Sequence, residues 1–227
     1  MRKKILIVDN SIHKKCDRCS QFHRHFSKET SVLHPIEKPL PKHLDNYSHI
    51  ILTGSAANVD EMSEVYDRLR PFINRVEKAG VPMLGICYGF QAIIAALSDF
   101  SSVEPYTHPE IGWTRIYVKK PSVLFKGMPK KFYAFENHLS SVRKLPSELI
   151  RTAESHRHNI QAFEHKTKPI YGVQFHPEYT TFHGRQTVTH WLKHRVPFKW
   201  FTNINKPAHY NPEIAEKIIY NFYKSSK

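Results

Sequence analysis

The chain has 227 residues, 40% of them hydrophobic and 24% charged, which excludes a disordered or low-complexity protein and leaves enough apolar material for a sizeable core. Its formal net charge is +14, but the Lys and Arg residues are scattered rather than gathered in an arm, so nucleic acid is not expected as a partner. No apolar run approaches the roughly 20 residues of a membrane span, and Ile5-Leu6-Ile7-Val8 is too short for a secretory leader, so a cytoplasmic chain with no membrane partner is expected.

Residues 4–9 read as a buried strand, apolar on both faces as parallel sheets require. Residues 49–53 form a second such strand, closed by Gly54. A helix follows over 61–79, where Val65, Leu69, Phe72, Ile73 and Val76 recur at spacings of three and four, and Gly80 caps it. A third buried strand covers 81–86, and 90–97 is apolar with helix-forming alanines. This alternation predicts an α/β fold with a mostly parallel central sheet flanked by helices. The segments 114–119, 131–135, 149–154 and 160–165 are shorter and β-rich, and predict a smaller, partly antiparallel sheet laid over the main one. Residues 169–175 are another buried strand, leading into His176. An amphipathic helix closes the chain over 212–223, with Ile214, Ile218, Ile219 and Phe222 on one face. The whole of 1–227 is expected to be a single domain.

Gly85-Ile86-Cys87-Tyr88-Gly89-Phe90-Gln91 carries the most information. A buried strand runs into a cysteine and a helix starts at once. Such a turn strains the backbone at its apex and crowds the residues two positions away on each side, which glycines at 85 and 89 relieve. The helix N-terminus presents unpaired N–H groups and a positive dipole end to the sulfur, both of which favour the thiolate. The N–H of Tyr88 is placed to face a tetrahedral oxyanion. The chain has three cysteines, Cys16, Cys19 and Cys87, an odd and small number that implies no disulfide framework and leaves Cys87 a free thiol.

A thiolate catalyst needs a proton shuttle. Of 16 histidines, His176 stands out because it ends a buried strand and begins His176-Pro177-Glu178. In extended chain, residues i and i+2 point to the same side, and Pro177 stiffens that geometry. Glu178 can then hold one imidazole nitrogen while the other serves the sulfur.

These residues resemble the class I (triad-type) glutamine amidotransferases. Gly-Ile-Cys-Tyr-Gly-Phe-Gln at 85–91 and Gly-Val-Gln-Phe-His-Pro-Glu at 172–178 are similar to that family's two signatures, and the wording around Cys87 resembles the amidotransferase half of GMP synthetase and its stand-alone relatives. The resemblance implies a flavodoxin-like fold and hydrolysis of glutamine to glutamate and ammonia through a Cys87 thioester, with His176 and Glu178 completing the triad. It assigns Gly54, Ser55 and Tyr88 to the oxyanion pocket, and Gln91, Asn137 and His138 to glutamine binding. No metal or organic cofactor is needed for that half-reaction. A separate synthetase chain, such as a GMP synthetase subunit, is expected to take the ammonia, because no synthetase domain is visible in these residues. A γ-glutamyl hydrolase or peptidase, and a binding protein that keeps the triad pocket without catalysis, remain open. In the oxyanion loop Ala56-Ala57-Asn58 stand where many relatives have a second glycine and a proline.

Two further stretches attract notice. Cys16-Asp17-Arg18-Cys19, near His13, His23 and His25, has zinc-like or redox-like spacing but lacks the second half of a robust zinc motif. Residues 183–210 form an atypical basic and aromatic insertion before the closing helix, carrying Arg185, Trp191, Lys193, Arg195, Phe198, Lys199, Trp200, Phe201 and Lys206 and no Asp or Glu. Leaving the chain beside His176, it is expected at the mouth of the site, gating the pocket or docking an acidic partner, or else packing its rings into the core.

Overall fold

A computed structural model describes residues 3–12, 19–23, 25–26, 29–57 and 63–225. Its centre is a nine-stranded sheet. Five parallel strands come first in space: β2 (Thr30–Leu33), β1 (Lys4–Val8), β3 (Tyr47–Leu52), β4 (Met83–Ile86) and β11 (Ile170–Val173). The sheet then continues antiparallel through β10 (Ala162–His165), β9 (Leu149–Glu154), β6 (Glu110–Val118) and β7 (Lys131–His138). The antiparallel strands expected as an overlying layer are therefore joined edge to edge with the main sheet. A separate small antiparallel sheet pairs β5 (Val103–Glu104) with β8 (Ser141–Val142).

Strands β1, β3 and β4 are apolar on both faces because helices cover both. On one side α2 (Ser63–Ala79) and α3 (Tyr88–Leu97) bury Leu69, Phe72, Val76, Phe90 and Ile93 against the even-numbered residues Leu6, Val8, Ile50 and Leu52. On the other, α1 (Cys19–His23) and α5 (Pro212–Tyr223) bury Phe22, Ile218, Ile219 and Phe222 against Ile5, Ile7, Ile51 and Leu84. The alternation of the two sets along each strand is the period of two that a pleated strand imposes. Gly80, at φ +64°, ends α2 in the left-handed conformation that glycine adopts without a Cβ penalty. Asn211 caps α5 by accepting from the N–H of Glu213 at 2.9 Å, with Pro212 in the first turn where a missing N–H costs nothing. Among the described residues no helix is long and apolar enough to cross a membrane.

The basic and aromatic segment begins as a helix, α4 (Thr181–Lys193), two residues earlier than the expected insertion. Thr180 and His183 form a reciprocal cap at its start. Beyond it the chain runs along β6, with Trp113 N–H donating to the Asn203 carbonyl at 3.0 Å and the Asn203 amide donating to the Trp113 carbonyl at 2.6 Å. A third apolar cluster results, in which Ile111, Trp113, Phe135, Tyr179, Val188, Phe201 and Tyr210 are buried. Packing thus accounts for part of the aromatic content, while Phe182 and Phe198 stay 65% and 72% exposed.

Gly184 is where α4 meets this cluster. A Cβ there would stand 2.8 Å from Phe135 Cδ2 and 2.8 Å from Trp113 Cζ2, closer than carbon atoms pack. Gly184→Val is expected to push α4 off the rings and cost about 1–3 kcal/mol, the usual penalty of overpacking. Urea unfolding followed by near-ultraviolet circular dichroism measures this, and an unchanged midpoint would contradict the packing described.

Candidate active site

Strand β4 ends at Ile86, and α3 starts at Tyr88, so the whole reversal falls on Cys87. Its φ is +49° and its ψ −103°, a sparsely populated region for a residue with a Cβ, worth about 1–3 kcal/mol of strain. The flanking strands hold the turn in place. Cys87 N–H donates to the Val173 carbonyl of β11 at 2.9 Å, and Gly89 N–H donates to the Thr53 carbonyl after β3 at 3.2 Å. The expected crowding is present. A Cβ at Gly85 would lie 2.5 Å from the Gly89 carbonyl oxygen, and one at Gly89 would lie 2.3 Å from that of Leu52. Helix and sheet meet backbone to backbone there.

Parallel pairing brings the next residues to the same edge. Leu52 pairs with Gly85 and Val173 pairs with Ile86, so the loops after β3, β4 and β11 emerge together. After β11 the chain bridges to β7, where His176 N–H donates to the Phe135 carbonyl at 2.8 Å. The His176 Nδ1 and Glu178 Oε1 are 2.8 Å apart, as the i, i+2 reading requires, and both side chains are buried. Gly54 lies between the two parts of the site. A Cβ there would come within 2.9 Å of His176 Cε1 and 3.4 Å of Cys87 Cβ. The Cys87 thiol donates to the Asn137 carbonyl at 3.7 Å, and His176 Nε2 is buried without a hydrogen-bond partner.

A small cleft of about 50 Å³ opens over the sulfur, lined by Ser55, Ala56, Ala57, Cys87, Tyr88, Gln91, Asn137, His138, Leu139, Ser140 and Trp191. The resemblance-based residues Ser55, Tyr88, Gln91, Asn137 and His138 therefore share one wall system with Cys87, and Gly54 stands beneath it. Their side chains differ in availability. Gln91 Nε2 donates to the Ser140 carbonyl at 3.2 Å and to Gln174 Oε1 at 3.1 Å, holding the 138–140 turn and the strand that leads to His176. His138 is engaged on both ring nitrogens, with Nδ1 donating to the Ser140 carbonyl at 2.9 Å and Nε2 near Glu110 and Glu136. Ala56 and Ala57 reach the cleft, with Ala57 N–H donating to Ser55 Oγ at 3.2 Å; Asn58 lies outside the described residues.

Trp191 was not among the site residues expected from sequence. It projects from α4 and its indole N–H donates to Asn137 Oδ1 at 2.8 Å, tying the basic and aromatic segment to the residue whose carbonyl receives the Cys87 thiol. Only the expectation that 183–210 lies near the mouth pointed toward it. Of the Cys16–Cys19 pair, Cys16 and His13 lie outside the described residues. Cys19 is buried and disulfide-bonded, which the odd cysteine count did not anticipate, and a sulfur so bonded is no zinc ligand.

A model of the class-I glutamine amidotransferases matches residues 8–194. This chain belongs to that family. A glutamine-hydrolyzing GMP synthase subunit from Thermoplasma volcanium is 36% identical over 179 residues, 78% of this chain and 84% of that protein. The subunit of the same name from Thermoplasma acidophilum is 38% identical over 135 residues, 60% of this chain and 65% of that one. Among solved structures, a protein from Thermoplasma acidophilum described as a GMP synthase subunit superposes with a TM-score of 0.72 at 26% identity, covering 99% of this chain and 96% of that one. A glutamine amidotransferase from Methylobacillus flagellatus, 18% identical with a TM-score of 0.77, shares the fold. The amidotransferase chain is therefore GMP synthase-like in sequence and flavodoxin-like in architecture.

The protonation of His176 follows from its surroundings. Burial opposes the imidazolium, but Tyr179, Glu178 and Cys87 outweigh burial and hold its pKa well above the ordinary value. A raised pKa means the proton stays on as pH rises past the ordinary histidine range, and removing one anion lets it leave earlier. In 15N-histidine-labelled protein, the His176 ring is expected to titrate above the ordinary histidine range, and Glu178→Gln to move that midpoint down. A midpoint unmoved by Glu178→Gln would mean that Glu178 does not govern the ring.

Proposed function

We propose that this amidotransferase hydrolyses glutamine to glutamate and ammonia through a covalent thioester on Cys87, and that a separate synthetase chain consumes the ammonia. The observation that supports it most directly is the junction of three parallel strand ends. There a strained cysteine at a helix N-terminus shares a buried pocket with an imidazole held at 2.8 Å by a carboxylate.

In this mechanism the Cys87 thiolate attacks the side-chain amide carbon of glutamine, forming a C–S bond and a tetrahedral oxyanion. Backbone N–H groups of the Gly54-Ser55 loop and of Tyr88 face that oxygen. Collapse breaks the C–N bond, and the departing nitrogen takes a proton from the His176 imidazolium to leave as ammonia. Neutral His176 then takes a proton from water, whose oxygen attacks the thioester carbonyl. The second collapse breaks the C–S bond, giving glutamate and restoring the thiolate. Glu178 keeps Nδ1 occupied, so Nε2 performs both transfers.

In the geometry described, the thiol donates to the Asn137 carbonyl and His176 Nε2 has no hydrogen-bond partner. A small reorientation of Cys87 or Asn137 completes the pair, which favours low activity alone and stimulation by a partner. The outer face of α4 and the turn after it carry Phe182, Leu192 and Phe198 exposed among Arg185, Lys193, Arg195 and Lys199, a composition that suits an acidic synthetase surface. The two Thermoplasma relatives are named as one subunit of a synthase, which supports a partner chain here.

A glutamine-mimicking chloroketone is expected to label Cys87, read by peptide mass spectrometry, and Cys87→Ser to lose glutaminase activity by about 10³-fold or more, since an alcohol at that position lacks the reactive anion. Activity on γ-glutamyl peptides that exceeds glutamine turnover, without any partner, would favour the peptidase alternative. Labelling without turnover under any partner would favour a binding protein. Reversing Lys193, Arg195 and Lys199 to Glu is expected to cut partner-stimulated turnover about tenfold while leaving basal glutaminase activity intact. Equal stimulation would remove this face as the docking surface.

A further inference from the structure

Behind the glutamine cleft lies a buried polar cluster that the hydrolysis does not use. Glu110 opens β6, Glu136 and His138 close β7, and His158 lies between β9 and β10. All four are buried, the two carboxylates completely. One ligand atom each from Glu110, His138 and His158 falls within 4.8 Å of the others.

The hydrogen bonds fix how these groups face one another. His138 Nδ1 contacts a carbonyl oxygen, that of Ser140, at 2.9 Å; a carbonyl can only accept, so Nδ1 carries the proton. Nε2 is directed at two carboxylates, 3.5 Å from Glu110 Oε2 and 3.4 Å from Glu136 Oε2. It has no hydrogen-bond partner, and neither does either oxygen of Glu136. Separations of 3.4–3.5 Å exceed the range of ordinary N–H···O bonds. The His138–Glu110 separation agrees with the edge, about 3.4 Å, of a polyhedron of N and O ligands held about 2.1 Å from one ion.

The outer contacts are also those of a metal site. A ligating histidine ordinarily donates its other N–H to a carbonyl or carboxylate, and a ligating carboxylate is itself hydrogen-bonded. Ser140 does the first for His138. Gln161 Nε2, at 2.7 Å, and Ser155 Oγ, at 3.4 Å, do the second for Glu110 Oε2. His158 Nε2 is 3.9 Å from Glu110 Oε2 and 2.7 Å from the His108 carbonyl, so ligation would exchange that N–H···O bond for the metal. Arg157, next to it, donates to the carbonyls of Pro109, Lys199 and Phe201.

We propose that Glu110, His138 and His158 bind a divalent ion of the zinc class. Two imidazoles and one carboxylate suit Zn²⁺. All three ligands are buried, which points to a structural role. The ion would tie β6, β7 and the β9–β10 loop together, with Glu136 beside His138 adding negative charge to the site.

The test uses tag-free full-length protein, expressed with added zinc and purified without chelator. Elemental analysis is expected to find about one equivalent of zinc per chain. A Cys16→Ser/Cys19→Ser double variant should retain it, and His158→Ala should lose it. Chelation should lower the unfolding midpoint by about 5 °C or more, and zinc should restore it. Glu110→Gln, which keeps the side-chain volume, is a second ligand variant should His158→Ala fold poorly; it too should lose zinc. Three outcomes would overturn the site: less than about a tenth of an equivalent even after incubation with zinc and gel filtration, zinc that disappears with the two cysteines, or zinc that both ligand variants keep.

Discussion

The close backbone approach of α3 to the sheet is the constraint on which the rest of the site depends. Without side chains at Gly85 and Gly89, the helix starts one residue after β4 ends, and the reversal is forced onto Cys87. The strain this stores is about 1–3 kcal/mol. It is held by two backbone hydrogen bonds to neighbouring strands and by the burial of Tyr88, Phe90, Ile93 and Ile94, each worth roughly 1.5–3 kcal/mol of transfer free energy. Burial exceeds strain several-fold, so the turn is stable without being relaxed. Because β3, β4 and β11 are adjacent and parallel, a fixed elbow on the middle strand also fixes Gly54 on one side and His176 on the other.

The two ends of this arrangement were legible in the sequence for local reasons. Crowding at 85 and 89 acts over four residues, and the His176–Glu178 alignment acts over two, so both leave a signature in short spacing. The parallel strands were legible because burial on both faces makes them continuous apolar runs. Strand β2 was not, since Thr30-Ser31-Val32-Leu33 is short, half polar and at the sheet's edge, with no residue fully buried. Helix α4 was hidden for a related reason. Only Gly184, Thr187 and Val188 of its thirteen residues are buried, so its apolar stripe is weak, and its contact face is built around a glycine.

What sequence could not supply is contact between distant segments. Trp191 reaches Asn137 across 54 positions, and that single bond joins the helix bearing an exposed basic and aromatic face to the carbonyl that receives the Cys87 thiol. The face and the sulfur are thereby separated by only one tryptophan and one asparagine. An element that moved α4 by an ångström would stretch a 2.8 Å bond beyond the range in which it holds Asn137. The physical route from a docked partner to the nucleophile is therefore short, and it is made of hydrogen bonds with sharp distance dependence rather than of compliant apolar packing.

The pocket meets one electrostatic requirement twice. An imidazole in a dry interior must have one nitrogen fixed before the other can be used, because an unpaired buried polar atom costs on the order of 1–3 kcal/mol. At His176 the fixing group is Glu178, and the free Nε2 faces the reacting sulfur's chamber. At His138 it is the Ser140 carbonyl, and the free Nε2 faces Glu110 and Glu136. Two carboxylates this deeply buried carry a desolvation cost of several kcal/mol for each charge unless something cationic offsets it. A divalent ion held by Glu110, His138 and His158 offsets that charge at bonding distance, so the two rings, fixed in the same way, are proposed for different work: a metal ligand at His138 and a proton shuttle at His176.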